Sequence, residues 1–253
     1  MSRGALASAV HNQQGELQRP TISVVLPTFN EAANIPILIN RVREALDGHA
    51  YEVIIVDDDS PDRTWAVAQE LAEADHRITV IRRKVERGLS SAVLSGMAAA
   101  RGNVLVAMDA DLQHDECRIP ELAAAVTDGG ADVCLGSRDA DGGGYGDFRR
   151  RRRLASWAGA SLAKLVLQVP VSDPMSGFFA VGRDRYELIE GQVNPRGFKI
   201  LLEFLARGPK PTVAEVGYVF GERVNGTTKL TGTVVLEYLR ALASLCRAAR
   251  RDR

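Results

Sequence analysis

Asp109 and Asp111 flank a single alanine at the end of the apolar run Val104–Met108, within Met108-Asp109-Ala110-Asp111-Leu112-Gln113-His114. Oxygen ligands paired in this way suit Mg2+ or Mn2+, held by one or two carboxylates while substrate phosphates complete the shell. Taken alone, the pair reads equally well as a solvated strand-end turn. A second acidic cluster shifts that balance: Asp57, Asp58, Asp59 and Asp62 directly follow the apolar run 53–56. Such crowded carboxylates repel one another and need a cation, hydrogen-bond donors or solvent. One or two serve as helix caps, with Pro61 in the first turn; the rest are suited to accept hydrogen bonds from a nucleobase and a ribose. A third turn, Leu26-Pro27-Thr28-Phe29-Asn30-Glu31, follows the run 22–26. There Asn30 is the expected cap, and Glu31 complements the dipole of the following helix. Three polar turns at successive strand ends describe a nucleotide-sugar crevice.

The elements that must position these turns alternate. Short apolar or β-branched runs at 22–26, 53–56, 78–81, 104–108 and 133–135 read as buried strands. Helical patterns lie between them at about 32–47, 62–75, 88–101 and 117–127. Strand–helix alternation implies right-handed crossovers and a mostly parallel central sheet covered by helices, an α/β fold. In such sheets ligands bind beyond the carboxyl ends of the strands, where the acidic turns fall. Further on, the pattern predicts a helix over 152–168, a strand over 178–181, a helix over 198–206, a strand over 212–216 and a last helix over 233–250. Residues 1–19 read as a loose polar tail, 20–230 as one domain, and 231–253 as an amphipathic helix with a basic end.

Composition removes several alternatives. Lysine plus arginine and aspartate plus glutamate number 32 each, so the chain is not a globally basic nucleic-acid binder. Cys117, Cys134 and Cys246 show no C-x-x-C spacing, which argues against a disulfide framework or zinc knuckle and for a reducing cytosol. The four histidines lack ligand spacing, and His114 is expected only to shape its turn. No spanning segment or signal-peptide core is visible; the longest largely apolar stretch, 154–169, is interrupted by Lys164.

The motifs V-V-L-P-T-F-N-E, V-D-D-D-S-P-D, R-G-L-S-S-A-V-L-S-G, M-D-A-D-L-Q-H, G-S-R, S-D-P-M-S-G-F-F and G-F-K-I-L-L-E occur in this order between about residues 21 and 236. Together they resemble family 2 glycosyltransferases, and among these the dolichol-phosphate (polyprenol-phosphate) mannose synthases. The resemblance implies a GT-A, Rossmann-like nucleotide-sugar-binding fold. It also implies inverting, metal-dependent transfer of mannose from GDP-mannose to a dolichyl or polyprenyl monophosphate. It maps Pro27, Phe29 and Glu31 onto the first nucleotide-contacting motif, and Val56 and Asp58 onto the base and ribose motif. Asp109, Ala110, Asp111 and Gln113 map onto the metal and diphosphate motif, with Mg2+ or Mn2+ held by Asp109, Asp111 and Gln113. Arg138, Lys199, Arg223 and Lys229 match cationic positions near the phosphates, and Arg138, Arg152 and Ser156 the acceptor phosphate. Asp109, Asp111, Arg223 and Lys229 are thereby the expected catalytic set.

The chain departs from the pattern at Phe29, where Tyr is commoner, at Asp115 in place of Pro, and at Thr228 in place of Ser. It also stops at Arg253, whereas many relatives continue into membrane-spanning helices. The same reaction with UDP-glucose or another nucleotide sugar is the nearest alternative. An inactive nucleotide-sugar-binding subunit is the distant one.

Arg149 to Arg153 precede the apolar helix expected over 152–168, which carries Trp157. A core helix explains its stripe, and so does a membrane-surface element whose arginines meet anionic lipid or grip a phosphate. The last helix is expected to close the domain, rest on lipid, or meet a small membrane subunit. These features imply a cytoplasmic protein attached peripherally to the cytoplasmic face of a membrane.

Overall fold

The structure, a computed structural model, describes residues 21–144, 171–195 and 200–221. The strands are β1 (Ile22–Thr28), β2 (Tyr51–Asp57), β3 (Ile78–Arg82), β4 (Val104–Met108), β5 (Val133–Ser137), β6 (Phe178–Gly182) and β7 (Val213–Gly217). The α-helices are α1 (Ile35–Ala45), α2 (Thr64–Ala74), α3 (Leu89–Ala99), α4 (Ile119–Thr127), α5 (Arg183–Ile189) and α6 (Ile200–Ala206). All seven strands form one sheet in the order β3-β2-β1-β4-β6-β5-β7.

Every residue of β1, β2, β4 and β5 is buried, as expected of strands covered on both faces. On one face Val24 and Leu26 pack with Ile35, Leu38 and Val42 of α1, Ala68 of α2 and Leu122 of α4. On the other, Val25, Ile54 and Val56 meet Val93 and Met97 of α3 and Phe204 of α6. Gly96 allows α3 to sit this close: an added Cβ would lie 3.0 Å from Val56 Cγ2 and closer still to Val25.

The expected sheet is therefore present, with one difference. β6 runs antiparallel to both β4 and β5, between them. Its run Phe178-Phe179-Ala180-Val181 is buried on both faces, so its side-chain pattern carries no information about direction. The reversal matters for the site. It pairs Met108 with Phe178, bringing the segment before β6 to the edge where β4 ends.

Helices α1 and α2 also begin a few residues later than expected. Asn30, Asp59 and Arg63 take positive φ angles of 61°, 55° and 64°, so left-handed turn residues occupy part of each connection. Asn30 is not a cap; the N-cap of α1 is Asn34, with Pro36 in the first turn.

Candidate functional site

The first two turns are bound to each other by the acidic cluster. Asp57 accepts hydrogen bonds from the Thr28 hydroxyl (2.9 Å), the Ser60 amide (2.9 Å) and the Ser60 hydroxyl (2.6 Å). Ser60 Oγ in turn accepts the Asn30 amide at 3.0 Å. Asp62 accepts the Ala32 amide at 3.0 Å and the Thr64 hydroxyl at 2.6 Å, while Thr64 Oγ1 accepts the Glu31 amide at 2.9 Å. Burial pushes the Asp62 carboxyl up, but these hydrogen bonds outweigh it and hold it below the usual carboxylate range. Thus Asp57 and Asp62 are turn-building residues, satisfying amides that no helix or strand uses. The crowded carboxylates are tolerated through donors.

Asp58 has a different partner. It is ion-paired with Arg83, whose Nε donates to Oδ1 at 2.7 Å, and the Gly88 amide donates to Oδ2 at 2.7 Å. Arg83 also donates to Ser91 Oγ (2.9 Å) and to the Gly88 carbonyl (3.0 Å), tying the loop before α3 to the end of β2. The two side chains are only 7% and 9% exposed. Arg83→Met should therefore strand a buried carboxylate and cost about 3–5 kcal/mol in chemical denaturation. A loss below about 1 kcal/mol would show that solvent replaces the guanidinium. Nearby, Pro27 registers with Val56, and the Arg87 guanidinium lies 6.0 Å from the centre of the Phe29 ring. Pro27, Phe29, Glu31, Val56 and Asp58 thus line adjacent ends of β1 and β2.

The D-x-D pair emerges where β4 ends. The Asp109 side chain is 39% exposed, whereas Ala110 and Asp111 are buried. Leu112 takes φ 62°, turning the chain sharply. Asp111 accepts the Gln113 amide at 3.2 Å. Gln113 Nε2 donates to the Gly221 carbonyl at 2.9 Å, so any ligand atom Gln113 supplies is its side-chain carbonyl oxygen. Two carboxylates and one amide carbonyl form a hard-oxygen set that fits Mg2+ or Mn2+ with phosphates completing the shell. Among the described residues no cluster of three His, Cys, Asp or Glu side chains forms a metal cage by itself.

His114 has more structure around it than its place in sequence suggests. It is buried among the rings of Phe178, Tyr218 and Phe220, with centroids at 5.4, 5.6 and 5.4 Å. Its Nδ1 is 2.7 Å from the Tyr218 hydroxyl, and its Nε2 is 3.7 Å from Asp109 Oδ2. Burial pushes the Tyr218 phenol far above its ordinary pKa, so it stays protonated, and the imidazole tautomer sets which of the two groups donates. The Nε2 edge of the imidazole faces Asp109. The alternation Val216, Tyr218, Phe220 was the available signal for this pocket.

Arg138 follows β5. Its guanidinium forks onto buried Asp173, with Nε to Oδ2 at 2.6 Å and Nη2 to Oδ1 at 2.8 Å, and lies 5.3 Å from the Phe220 ring centre. The segment before β6 is further tied by Ser172, which bonds Ser137 Oγ at 2.5 Å and Glu215 through its amide at 2.5 Å. Lys199, Arg223, Lys229, Arg152 and Ser156 lie outside the described residues. So do the arginine run, the helices expected over 152–168 and 233–250, and the boundaries expected at 19/20 and 230/231.

In the loop that follows β4, Glu116 is buried with Arg41 Nη1 3.7 Å from its Oε1. Burial raises its carboxyl pKa above the ordinary glutamate value, against the pull of Arg41. The folded state then holds this proton at a pH where the unfolded chain has lost it, so stability falls as pH rises from about 4.5 through the folded value. Glu116→Gln should stabilise by roughly 1 kcal/mol at pH 8 and by little at pH 4. Thermal denaturation at both values checks this; equal effects at the two pH values would contradict it.

A mostly parallel sheet with an acidic pair at a central strand end and polar turns beside it is the architecture of a GT-A fold. Residues 23–189 match the profile of Glycosyl transferase family 2, and the chain belongs to that family. It is 45% identical over 227 residues to the dolichol-phosphate mannosyltransferase of Pyrococcus furiosus, covering 88% of this chain but 63% of that protein. The chain thus spans under two thirds of that relative's length. In structure it is similar to a mannosyltransferase from Pyrobaculum calidifontis in complex with GDP-Man and Mn2+ (TM-score 0.62, 18% identity, 93% of this chain and 65% of that one). It is also similar to the Mycobacterium tuberculosis glucosyl-3-phosphoglycerate synthase in complex with Mn2+, UDP-Glc and phosphoglyceric acid (TM-score 0.68, 23% identity, 90% and 80%). At these identities the structural likenesses show the GT-A fold alone.

Proposed function

We propose that this chain transfers mannose, with inversion, from GDP-mannose to the phosphate of a dolichyl or polyprenyl phosphate, giving polyprenyl-phosphate mannose. The observation that carries the reading is the Asp109–Asp111 pair at the end of β4, beside the two polar turns that end β1 and β2. The 45% identity to a dolichol-phosphate mannosyltransferase supports the choice of sugar and acceptor. The UDP-Glc likeness, at 23% identity, bears on the fold and not on the choice of donor.

In this reading Phe29 and Asp58 face the nucleoside, with Pro27, Glu31 and Val56 shaping the same wall. Asp109, Asp111 and Gln113 would hold Mg2+ or Mn2+ against the donor diphosphate. When bound, the metal supplies Lewis-acid neutralisation of charge on the leaving nucleotide. Arg223 and Lys229 add fixed positive charge where that leaving group develops, and Lys199 and Arg138 extend it. Arg138 does so as a pair with Asp173, which fixes the guanidinium plane at the cost of net charge. No carboxylate is assigned as catalytic base. A phosphate monoester has its second pKa near about 6 and is already largely dianionic at neutral pH. This leaves Asp57 and Asp62 to their turns.

Residues 20–230 form the catalytic unit in this proposal. The acceptor lipid requires contact with a membrane, and among the described residues no helix is long and apolar enough to cross one. We assign attachment at the cytoplasmic face to the arginine run 149–153 and the apolar segment 154–169, with Arg138, Arg152 and Ser156 serving the acceptor phosphate and the last helix meeting lipid or a small membrane subunit. The test offers purified protein labelled GDP-mannose or UDP-glucose with polyprenyl phosphate. Metal-dependent labelling of lipid from GDP-mannose is expected. Preference for UDP-glucose would overturn the donor, and binding of nucleotide sugar without transfer to any acceptor would favour a non-catalytic subunit.

A further inference from the structure

We propose that Gly177 is a positioning residue for the metal-loop carboxylate: its missing side chain makes the space in which Asp109 sits, with His114 as the opposing wall. The inference rests on the metal-dependent transfer proposed above, and deepens it.

The argument begins with strand pairing. β4 and β6 are antiparallel, with Ala107 opposite Phe179 and Met108 opposite Phe178. The next step along that register brings Asp109 beside Gly177. Directly opposed residues in an antiparallel pair project their side chains to the same face, about 4.5–5.5 Å apart at Cβ. Any side chain at 177 would therefore contend with Asp109 for one volume. A Cβ built on Gly177 would lie 2.9 Å from Asp109 Cγ, 3.3 Å from Oδ1 and closer still to Oδ2. None of the three nearest atoms is backbone; all belong to the carboxylate end of Asp109. An added methyl would leave the strands in place and move the carboxylate.

The other wall is firm. His114 Nε2 lies 3.7 Å from the same Oδ2, and its ring is held by the Tyr218 hydroxyl and the three surrounding aromatic rings. The segment carrying Gly177 is equally fixed. The Ser176 hydroxyl bonds the Phe178 carbonyl and amide at 3.1 and 3.2 Å, and the Ser176 amide donates to the Asp173 carbonyl at 3.2 Å. Asp173 in turn anchors Arg138. Gly177 thus has no φ requirement that singles it out; its role is the volume it leaves.

The experiment compares Gly177→Ala, Tyr218→Phe, Asp109→Ala and the double variant Gly177→Ala/Asp109→Ala with the parent. Two readouts are used: Mn2+ affinity by EPR titration with GDP or UDP present, and metal-dependent transfer. Gly177→Ala should weaken Mn2+ binding about 10-fold or more, a first-order effect of a misplaced ligand. The metal concentration for half-maximal rate should rise by the same factor, with thermal stability changed by less than about 3 °C. Tyr218→Phe, which frees His114, should shift Mn2+ affinity in the same direction by about 3-fold. In the Asp109→Ala background Gly177→Ala should add nothing, because the carboxylate it displaces is gone. Full additivity of the two substitutions, or unchanged Mn2+ affinity in Gly177→Ala, would overturn the proposal. If the parent uses UDP-glucose, only the donor assignment fails, and the same comparison with that donor still decides the role of Gly177. A parent that binds no Mn2+ with either nucleotide would overturn both.

Discussion

Asp111→Ala is expected to lower transfer by on the order of 10³-fold or more while the protein stays folded, because in the proposed mechanism it removes a carboxylate that would hold the metal. Two effects oppose each other in the folded state. The substitution removes the hydrogen bond from the Gln113 amide at 3.2 Å, a loss of about 1 kcal/mol. It also removes one of two carboxylates that repel each other while no cation is bound. The net change in stability should stay within about 1 kcal/mol, far below the stability of a domain. The measurement is transfer across a Mn2+ titration beside chemical denaturation. Asp57→Ala gives the useful contrast. Its carboxylate receives the Thr28 hydroxyl and both Ser60 donors, so its loss should appear chiefly as instability. Near-parent turnover of Asp111→Ala in the presence of chelator would remove the metal from the mechanism.

These two aspartates also show how far the sequence could be read. An apolar run that ends in acidic residues locates a strand end, and three such runs in one parallel sheet locate a crevice. That inference needs only local pattern, and it placed Pro27, Phe29, Glu31, Val56, Asp58, Asp109 and Asp111 on adjoining strand ends. The roles within the acidic cluster depend on partners far along the chain. Asp58 meets Arg83, 25 residues on, and His114 meets Tyr218 across 104. No periodicity reports such pairs, and the same residue type serves as turn-builder at 57, ion-pair partner at 58 and ligand candidate at 111. The antiparallel course of β6 was hidden for another reason. A strand buried on both faces has no alternation, and its direction is set by the connection that delivers it. With that direction came the pairing of β4 with β6 that puts Gly177 against Asp109. Arg138 illustrates the remaining limit, since a cation beside expected phosphates proved to be forked onto Asp173.

Reversing Arg149, Arg150 and Arg151 to glutamate is expected to separate the two halves of the proposed reaction. The proposed acceptor is a lipid, so its phosphate would reach the crevice only where the protein lies against a membrane. Each basic side chain near an anionic leaflet contributes about 1 kcal/mol, so losing three should weaken vesicle binding by on the order of 10²-fold before any repulsion from the new charges. This attraction is screened within about 8 Å at physiological salt, so the parent should also leave vesicles as salt rises, whereas the reversed variant should respond little. Donor binding should stay near the parent value, because Phe29, Asp58 and Asp109 belong to β1, β2 and β4 turns held by their own hydrogen bonds. The measurement is flotation with anionic vesicles at low and high salt, beside calorimetry with GDP-mannose and transfer to polyprenyl phosphate in those vesicles. Transfer to a short, water-soluble polyprenyl phosphate should survive the substitution even as transfer in vesicles falls. Parent-like flotation of the reversed variant would move membrane attachment from the arginine run to the last helix or a membrane subunit. Equal loss with the soluble acceptor would instead assign these arginines to the acceptor phosphate itself, since guanidinium pairs bidentately with phosphate oxygens wherever the lipid tail lies.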